Sequence, residues 1–222
     1  MHHAISFQGE TLHLLPSGAL FLPHRKVLCV SDLHMGKAER LARRGGTLLP
    51  PYETRETLAR LDAEIEATTP AMVVCLGDSF DDAAAADGLD ESDRLWLTRL
   101  MAGRDWIWIQ GNHDAGPIDI AGTHRSELTM GSIHFRHIAT PDGVGEISGH
   151  YHPKLRLAGR AMRCFLMDRN RIVLPAFGTY TGGLWAQDPS LSALFSPQSM
   201  AFACGKDRIH ACPMPRASTN GR

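Results

Sequence analysis

The sequence predicts an α/β fold whose second half turns β-rich. Three observations carry this prediction. Short apolar runs alternate with longer segments of helical periodicity up to residue 110. Beyond residue 120, short β-like runs recur and helical signal is thin. The length, 222 residues at 43% hydrophobic content, suits one domain with a sizeable core.

Thr11–Leu15 and Ala19–Leu22 flank Pro16-Ser17-Gly18 and read as a β-hairpin. Lys26–Val30 (KVLCV) is a short apolar run and predicts a buried strand. Ala38–Arg44 reads as a helix stopped by Gly45-Gly46. Tyr52–Ala67 repeats Leu58, Leu61 and Ile65 at helical spacing and ends before Pro70. Ala71–Leu76 (AMVVCL) is a second buried strand. Glu91–Met101, carrying Leu95, Leu97, Leu100 and Met101, is a helix ended by Gly103, and Trp106–Ile109 is a third strand. The order strand, helix, strand, helix, strand argues for parallel βαβ units.

Glu127–Met130, Ile133–Ile138, Glu146–Ser148, Arg163–Met167 and Arg171–Leu174 are β-like runs separated by Gly, Pro, Asp or Asn. They predict a second sheet packed on the first within one domain, residues 1–212. Residues 213–222 are expected to form a disordered tail. Ala83–Ala86 is a low-complexity stretch inside an Asp-rich segment and is expected to be an exposed loop.

A net charge of −1 makes no global electrostatic case for a nucleic-acid or membrane partner. The five cysteines form no CxxC and imply neither a disulfide framework nor a zinc ribbon, which suits a reducing compartment. No stretch approaches the ~20 apolar residues of a membrane helix and no secretion signal is recognisable, so the expected location is cytoplasmic.

The polar clusters fall where the strands end. Lys26–Val30 runs into Ser31-Asp32-Leu33-His34, Ala71–Leu76 into Gly77-Asp78, and Trp106–Ile109 into Gly111-Asn112-His113-Asp114. Ligands of open α/β sheets bind beyond the carboxyl ends of the strands. Later, Ile133–Ile138 carries His137, and Gly149-His150-Tyr151-His152 follows Glu146–Ser148. Asp32/His34 and His150/His152 have the i, i+2 spacing that puts both members on one side of an extended chain, so each pair suits a metal ion. Oxygen and imidazole donors without thiolate favour Mn²⁺, Fe or Zn²⁺. Seven candidate ligands (Asp32, His34, Asp78, Asn112, His137, His150 and His152) exceed the need of one ion, so two are expected, with Asp78 as the bridge and a hydroxide between the ions as nucleophile. His134 competes with His137 but would point to the other face of its strand. His113 is the candidate general acid, with Asp114 orienting it. Asp81 and Asp82 carry no assignment.

Taken as an ordered set, DLH, GD, GNHD, a strand histidine and GHYH resemble the calcineurin-like metallophosphoesterase superfamily over Asp32 to His152. The resemblance implies a four-layer α/β/β/α sandwich of two packed mixed sheets. It implies one divalent ion on Asp32, His34, Asp78 and His152, a second on Asp78, Asn112, His137 and His150, and His113 with Asp114 as the catalytic dyad. Mn is the first expectation for both ions, with Fe, Zn, Ni or Mg as alternatives. The opening hairpin, VSDLHMGKAERLARRGGTLLPPYETRETLARL, LGDSFDD, SGHYHPK and LPAFGTYTGGL are similar to the ligase-associated DNA damage response endonuclease family, PdeM. That similarity implies a bacterial phosphodiesterase of DNA repair, with DNA or a nucleotide as substrate and a ligase or helicase as candidate partner.

Arg40, Arg44 and Lys154 are candidate substrate contacts, within basic groups that read equally as solvated faces. Gly182-Gly183 and Trp185 admit either a structural role or contact with substrate. The alternative activities are a phosphoesterase or pyrophosphatase acting on a small molecule or lipid precursor, and a non-catalytic scaffold. The acidic, Ala-rich segment Asp78–Asp93 is a poor acyl-chain lid, and a scaffold would be expected to lack some of these ligands.

Overall fold

Two sheets form in chain order, and alternation of side chains decides what each face meets. The structure, a computed structural model, describes residues 2–46, 49–50, 52–114 and 119–216. The first sheet contains β1 (His3–Phe7), β2 (Glu10–Leu14), β3 (Leu20–Leu22), β4 (Val27–Val30), β5 (Met72–Cys75), β6 (Asp105–Ile109) and β7 (Thr123–Arg125), in that spatial order. Short turns make β1 to β4 antiparallel. From β4 to β7 the strands are parallel and need crossovers. α1 (Lys37–Arg43) and α2 (Glu53–Thr68) supply the first, α3 (Ala83–Asp87) and α4 (Glu91–Met101) the second.

The second sheet is also mixed. Its spatial order is β15 (Ile209–Pro213), β14 (Met200–Cys204), β12 (Arg160–Met167), β13 (Arg171–Val173), β10 (Glu146–Ser148), β9 (Ile133–Arg136) and β8 (Glu127–Met130). β11 (Lys154–Leu157) pairs with the first half of β12. β10 runs parallel to both β9 and β13, which aims its carboxyl end along the same direction as theirs.

Val74, Leu76, Ile107 and Ile109 pack against Phe135, Ile147, Phe165 and Ile172 between the sheets. The alternate residues Val73, Cys75, Trp106 and Trp108 meet Leu58, Leu61 and Ile65 of α2 and Leu97 and Leu100 of α4. On the far face of the second sheet, Cys164, Leu166 and Val173 pack with Leu191 of α5 (Pro189–Ser192) and with Phe195. Each fully buried large aliphatic or aromatic side chain contributes roughly 1.5–3 kcal/mol. The layers are helices, sheet, sheet, and an outer cover that is mostly loop around one short helix. Among the described residues, no helix is long and apolar enough to cross a membrane.

Three expectations need correction. Ala83–Ala86 is not an exposed loop: it starts α3, which Asp82 caps by accepting the Ala85 amide at 2.9 Å. Ala85 and Ala86 are buried, and a Cβ on Gly36 would lie 2.6 Å from that of Ala85. Ala85 and Ala86 are small because α3 sits tightly on the chain entering α1. The expected tail begins too early, because Pro213 pairs with Met200 and Met214 is buried; residues 217–222 lie outside the described residues. Leu95 is exposed, and the buried face of α4 is carried by Leu97 and Leu100.

Candidate metal centre

The segments that follow β4, β5, β6, β9 and β10 converge at one edge of the molecule. Backbone pairing continues beyond the strands: the Asp32 amide donates to Gly77 (3.2 Å), His34 to Asp78 (2.9 Å), Met35 to Ser79 (3.0 Å), and Asp81 back to Met35 (3.0 Å). A plain strand would alternate its side chains between the two faces. Here left-handed residues re-aim them. Ten described non-glycine residues have positive φ, and five of these are Asp32, His34, Asp78, His150 and His152. Such backbone costs on the order of 1–3 kcal/mol per residue and persists where the surroundings enforce it. Two glycines permit the convergence. A Cβ on Gly149 would fall 1.7 Å from Ser31 Oγ, and one on Gly111 would fall 2.1 Å from the Asp78 amide nitrogen.

The candidate ligands form two groups. In the first, His152 Nε2 lies 3.1 Å from Asp32 Oδ1 and 3.4 Å from His34 Nε2. In the second, His137 Nε2 lies 2.9 Å from Asn112 Oδ1, 3.2 Å from His150 Nδ1 and 3.4 Å from Asp78 Oδ2. Asp78 Oδ2 also lies 4.0 Å from His34 Nε2, so one carboxylate reaches both groups. Each of the triads Asp32/His34/His152 and Asp78/His137/His150 has its donor atoms within 4.8 Å of one another. His137 joins the cluster, whereas His134 faces Thr129 Oγ1 at 3.0 Å.

The donor chemistry fits divalent cations. His137 Nδ1 lies 2.7 Å from the Leu76 carbonyl, which only accepts, so that nitrogen carries the proton. The lone pair of Nε2 in the neutral ring then meets the Asn112 and Asp78 oxygens and a His150 nitrogen, all of them acceptors unless protonated. Asp32 Oδ1 is buried, and its near neighbour His152 Nε2, at 3.1 Å, lies outside hydrogen-bond geometry. Lone pairs converging on a buried orphan oxygen are satisfied by a cation.

Proton binding reflects the same crowding. Burial alone would raise the Asp78 carboxyl, but His137, the His113 amide and His34 outweigh it and hold it well below the usual carboxylate range. Asp32 is likewise lowered against its burial, chiefly by His152 and His137. Burial opposes charge on His137, yet Asp78 and Asp32 raise it above the ordinary imidazole value. His150 is lowered, by burial and by the neighbouring His137.

Asp114 does something other than orient His113. Its carboxylate accepts the amides of Gly111 (3.0 Å), Asp78 (3.1 Å), Ser79 (2.7 Å) and Phe80 (3.3 Å), which ties the loop after β6 to the loop after β5. With its oxygens engaged by backbone donors, the next residue along turns elsewhere. His113 Nδ1 lies 3.1 Å from the Asp81 carbonyl oxygen, which places a proton on Nδ1 and leaves Nε2 outside that contact.

Asp81, unassigned from sequence, is the main addition. It is buried, it holds His34 Nδ1 at 2.9 Å, and it is paired with Arg40. Burial opposes its charge, but His34 and Arg40 lower its pKa. The signal was its place three residues beyond Asp78 in GDSFDD. Arg40 is thus engaged with Asp81, and Arg44 pairs with Asp82 at 3.2 Å. Lys154 lies 4.9 Å from the Trp185 ring centroid and lines a cavity that also includes His152.

A centre of this composition, at the carboxyl strand ends of two packed mixed sheets, defines a metal-dependent phosphoesterase. The calcineurin-like phosphoesterase family model matches residues 25–167, and the chain belongs to that family. Among solved structures it is similar to the nuclease MPE of Pseudomonas putida, with 28% identity and a TM-score of 0.73 over 95% of this chain and 100% of that one. None of the curated proteins matches it.

Proposed function

We propose that this chain is a two-metal phosphodiesterase that hydrolyses phosphodiester bonds of DNA or nucleotides, with Mn²⁺ as the first candidate metal. The observation that carries the reading is Asp78: one buried carboxylate within 4.0 Å of both an imidazole of the first group and an imidazole of the second. Asp32, His34, Asp78 and His152 would hold one ion, and Asp78, Asn112, His137 and His150 the other. When bound, the ions supply a nucleophilic water at neutral pH and charge neutralisation for the phosphate. The similarity to a nuclease structure supports a nucleic-acid substrate over a lipid precursor. The motif similarity to the PdeM family supports a setting in bacterial DNA repair.

The chain's own residues complete the reaction. His113, its Nδ1–H directed at the Asp81 carbonyl, acts as the proton donor in its doubly protonated form, with the second proton on Nε2. As the water oxygen, its proton lost to solvent, bonds to phosphorus, the bond to the leaving oxygen breaks and that oxygen takes the Nε2 proton, which His113 regains from solvent. Asp114 keeps the two loops that carry Asp78 and His113 in register. Asp81 orients His34, and Arg40 compensates the charge of Asp81.

The test uses metal-stripped protein and compares bis-p-nitrophenyl phosphate with p-nitrophenyl phosphate, with and without Mn²⁺. The expected result is Mn²⁺-dependent hydrolysis that prefers the diester. Preference for the monoester, or no hydrolysis of either with any of the candidate metals, would overturn the reading.

A further inference from the structure

Arg60 of α2 and Arg163 of β12 line one cavity that His152 also borders. Its volume is about 410 Å³, and its wall also includes Lys154, Glu56 and the loop 178–182. Arg60 lies 5.2 Å from the Phe177 ring centroid and donates to Thr179 Oγ1 at 2.8 Å. Arg163 donates to the Ala176 carbonyl at 3.4 Å. A guanidinium has five N–H donors, so these contacts leave most of each fork unused. Neither arginine forms a salt bridge among the described residues.

Burial and like charge weigh on this pair. Burial, with the charge of Arg163 second, brings the pKa of Arg60 down to about 10, and Glu56 opposes this. Burial lowers Arg163 as well. Partly buried like charges favour further anionic partners. A neighbouring cavity of about 580 Å³ is lined by the same two arginines and Lys206, with Glu64 and Asp207 in the same wall. Around the cavity beside His152, Arg60, Arg163 and Lys154 outnumber the single acid Glu56.

We infer that the cavity formed by Arg60, Arg163 and the loop 178–182 is a second anion subsite, which takes a non-scissile phosphate of the substrate next to the phosphate being cleaved. The inference rests on the phosphodiesterase reading above. It makes the enzyme selective for substrates with two or more phosphates over simple diesters. Because His152 borders both the cavity and the first ligand group, the subsite fixes which phosphate reaches the ions.

The experiment compares thymidine 5′-(p-nitrophenyl phosphate) with the same ester carrying a 3′-phosphate, using the Mn²⁺-loaded protein. Both release p-nitrophenol from the same bond. For the wild type, the added phosphate is expected to lower KM by roughly tenfold or more, the size of a charge-assisted contact. In Arg60→Gln and Arg163→Gln the ratio of kcat/KM between the two esters should fall towards one, whatever the absolute rates. Arg60→Lys should keep part of the ratio and guards against a folding defect in the Gln variants. A wild type indifferent to the second phosphate, or a ratio that survives in both Gln variants, would overturn the subsite while leaving the phosphodiesterase reading intact. Hydrolysis of neither ester by the wild type would overturn both.

Discussion

His34 and His137 occupy corresponding places in the two ligand groups, and the fold holds them by different means. His34 presents Nδ1 to the Asp81 carboxylate, which Arg40 pairs with and Lys37 approaches to 4.0 Å. His137 presents Nδ1 to the Leu76 carbonyl, a backbone group at the end of β5. The first arrangement uses side chains and a balance of charge. The second uses a strand end that leads out of the inter-sheet core. A carboxylate partner makes an imidazole a stronger donor than a carbonyl partner does, so the first group is electrostatically tuned and the second geometrically fixed.

The largest expected effect comes from removing what the two groups share. Asp78→Asn should lower Mn²⁺-dependent diester hydrolysis by on the order of 10³-fold or more, because metal stabilisation of the transition state is worth several kcal/mol. Metal analysis of that variant should show loss from both groups; loss from only one would break the symmetry assigned to Asp78. His113→Ala leaves both groups intact and should cost about 10²–10⁴-fold in kcat at unchanged metal content. A fall in bound metal instead would make His113 a ligand, an outcome for which its place near His34 and Asp81 leaves room.

Asp114→Asn tests the tie beneath both groups. It replaces one acceptor oxygen by a donor facing backbone amides, and should destabilise the metal-free protein by about 2–3 kcal/mol, measured by thermal unfolding. An unchanged Tm would refute the role given to Asp114. Asp81→Asn separates the groups most sharply. It should weaken metal binding about 10–100-fold at the first site and leave the second near the wild-type value, a difference visible as two distinct steps in a calorimetric Mn²⁺ titration. Equal weakening at both sites would show that the contrast between His34 and His137 is one of appearance only.

Much of this site was legible because its residues lie in short contiguous runs. DLH, GD, GNHD and GHYH each follow an apolar strand, and strand ends are where an α/β sheet exposes polar groups. Period-two alternation set His134 and His137 on opposite faces, and the distance from His137 to GHYH, which fits the pattern of the family it resembles, decided between them. The misreadings share another origin. The run Ala83–Ala86 looked featureless because its packed members, Ala85 and Ala86, are too small to carry a periodic signal. Asp114 was read through its sequence neighbour, whereas its four partners come from Gly111 and the loop after β5. Arg60 and Arg163 lie 103 positions apart on different sheets' flanks, and nothing local links them.

What the sequence determined by itself was the set of strands and helices that carry the site and the residue types delivered to one sheet edge, because periodicity and strand-end chemistry are local properties. The tertiary structure alone decided which side chains share a charge: Asp78 between two groups, Asp81 between His34 and Arg40, and the paired arginines beside His152. Those pairings depend on left-handed backbone at the ligands and on the packing of one sheet against the other. Both arise only when distant segments hold each other in place.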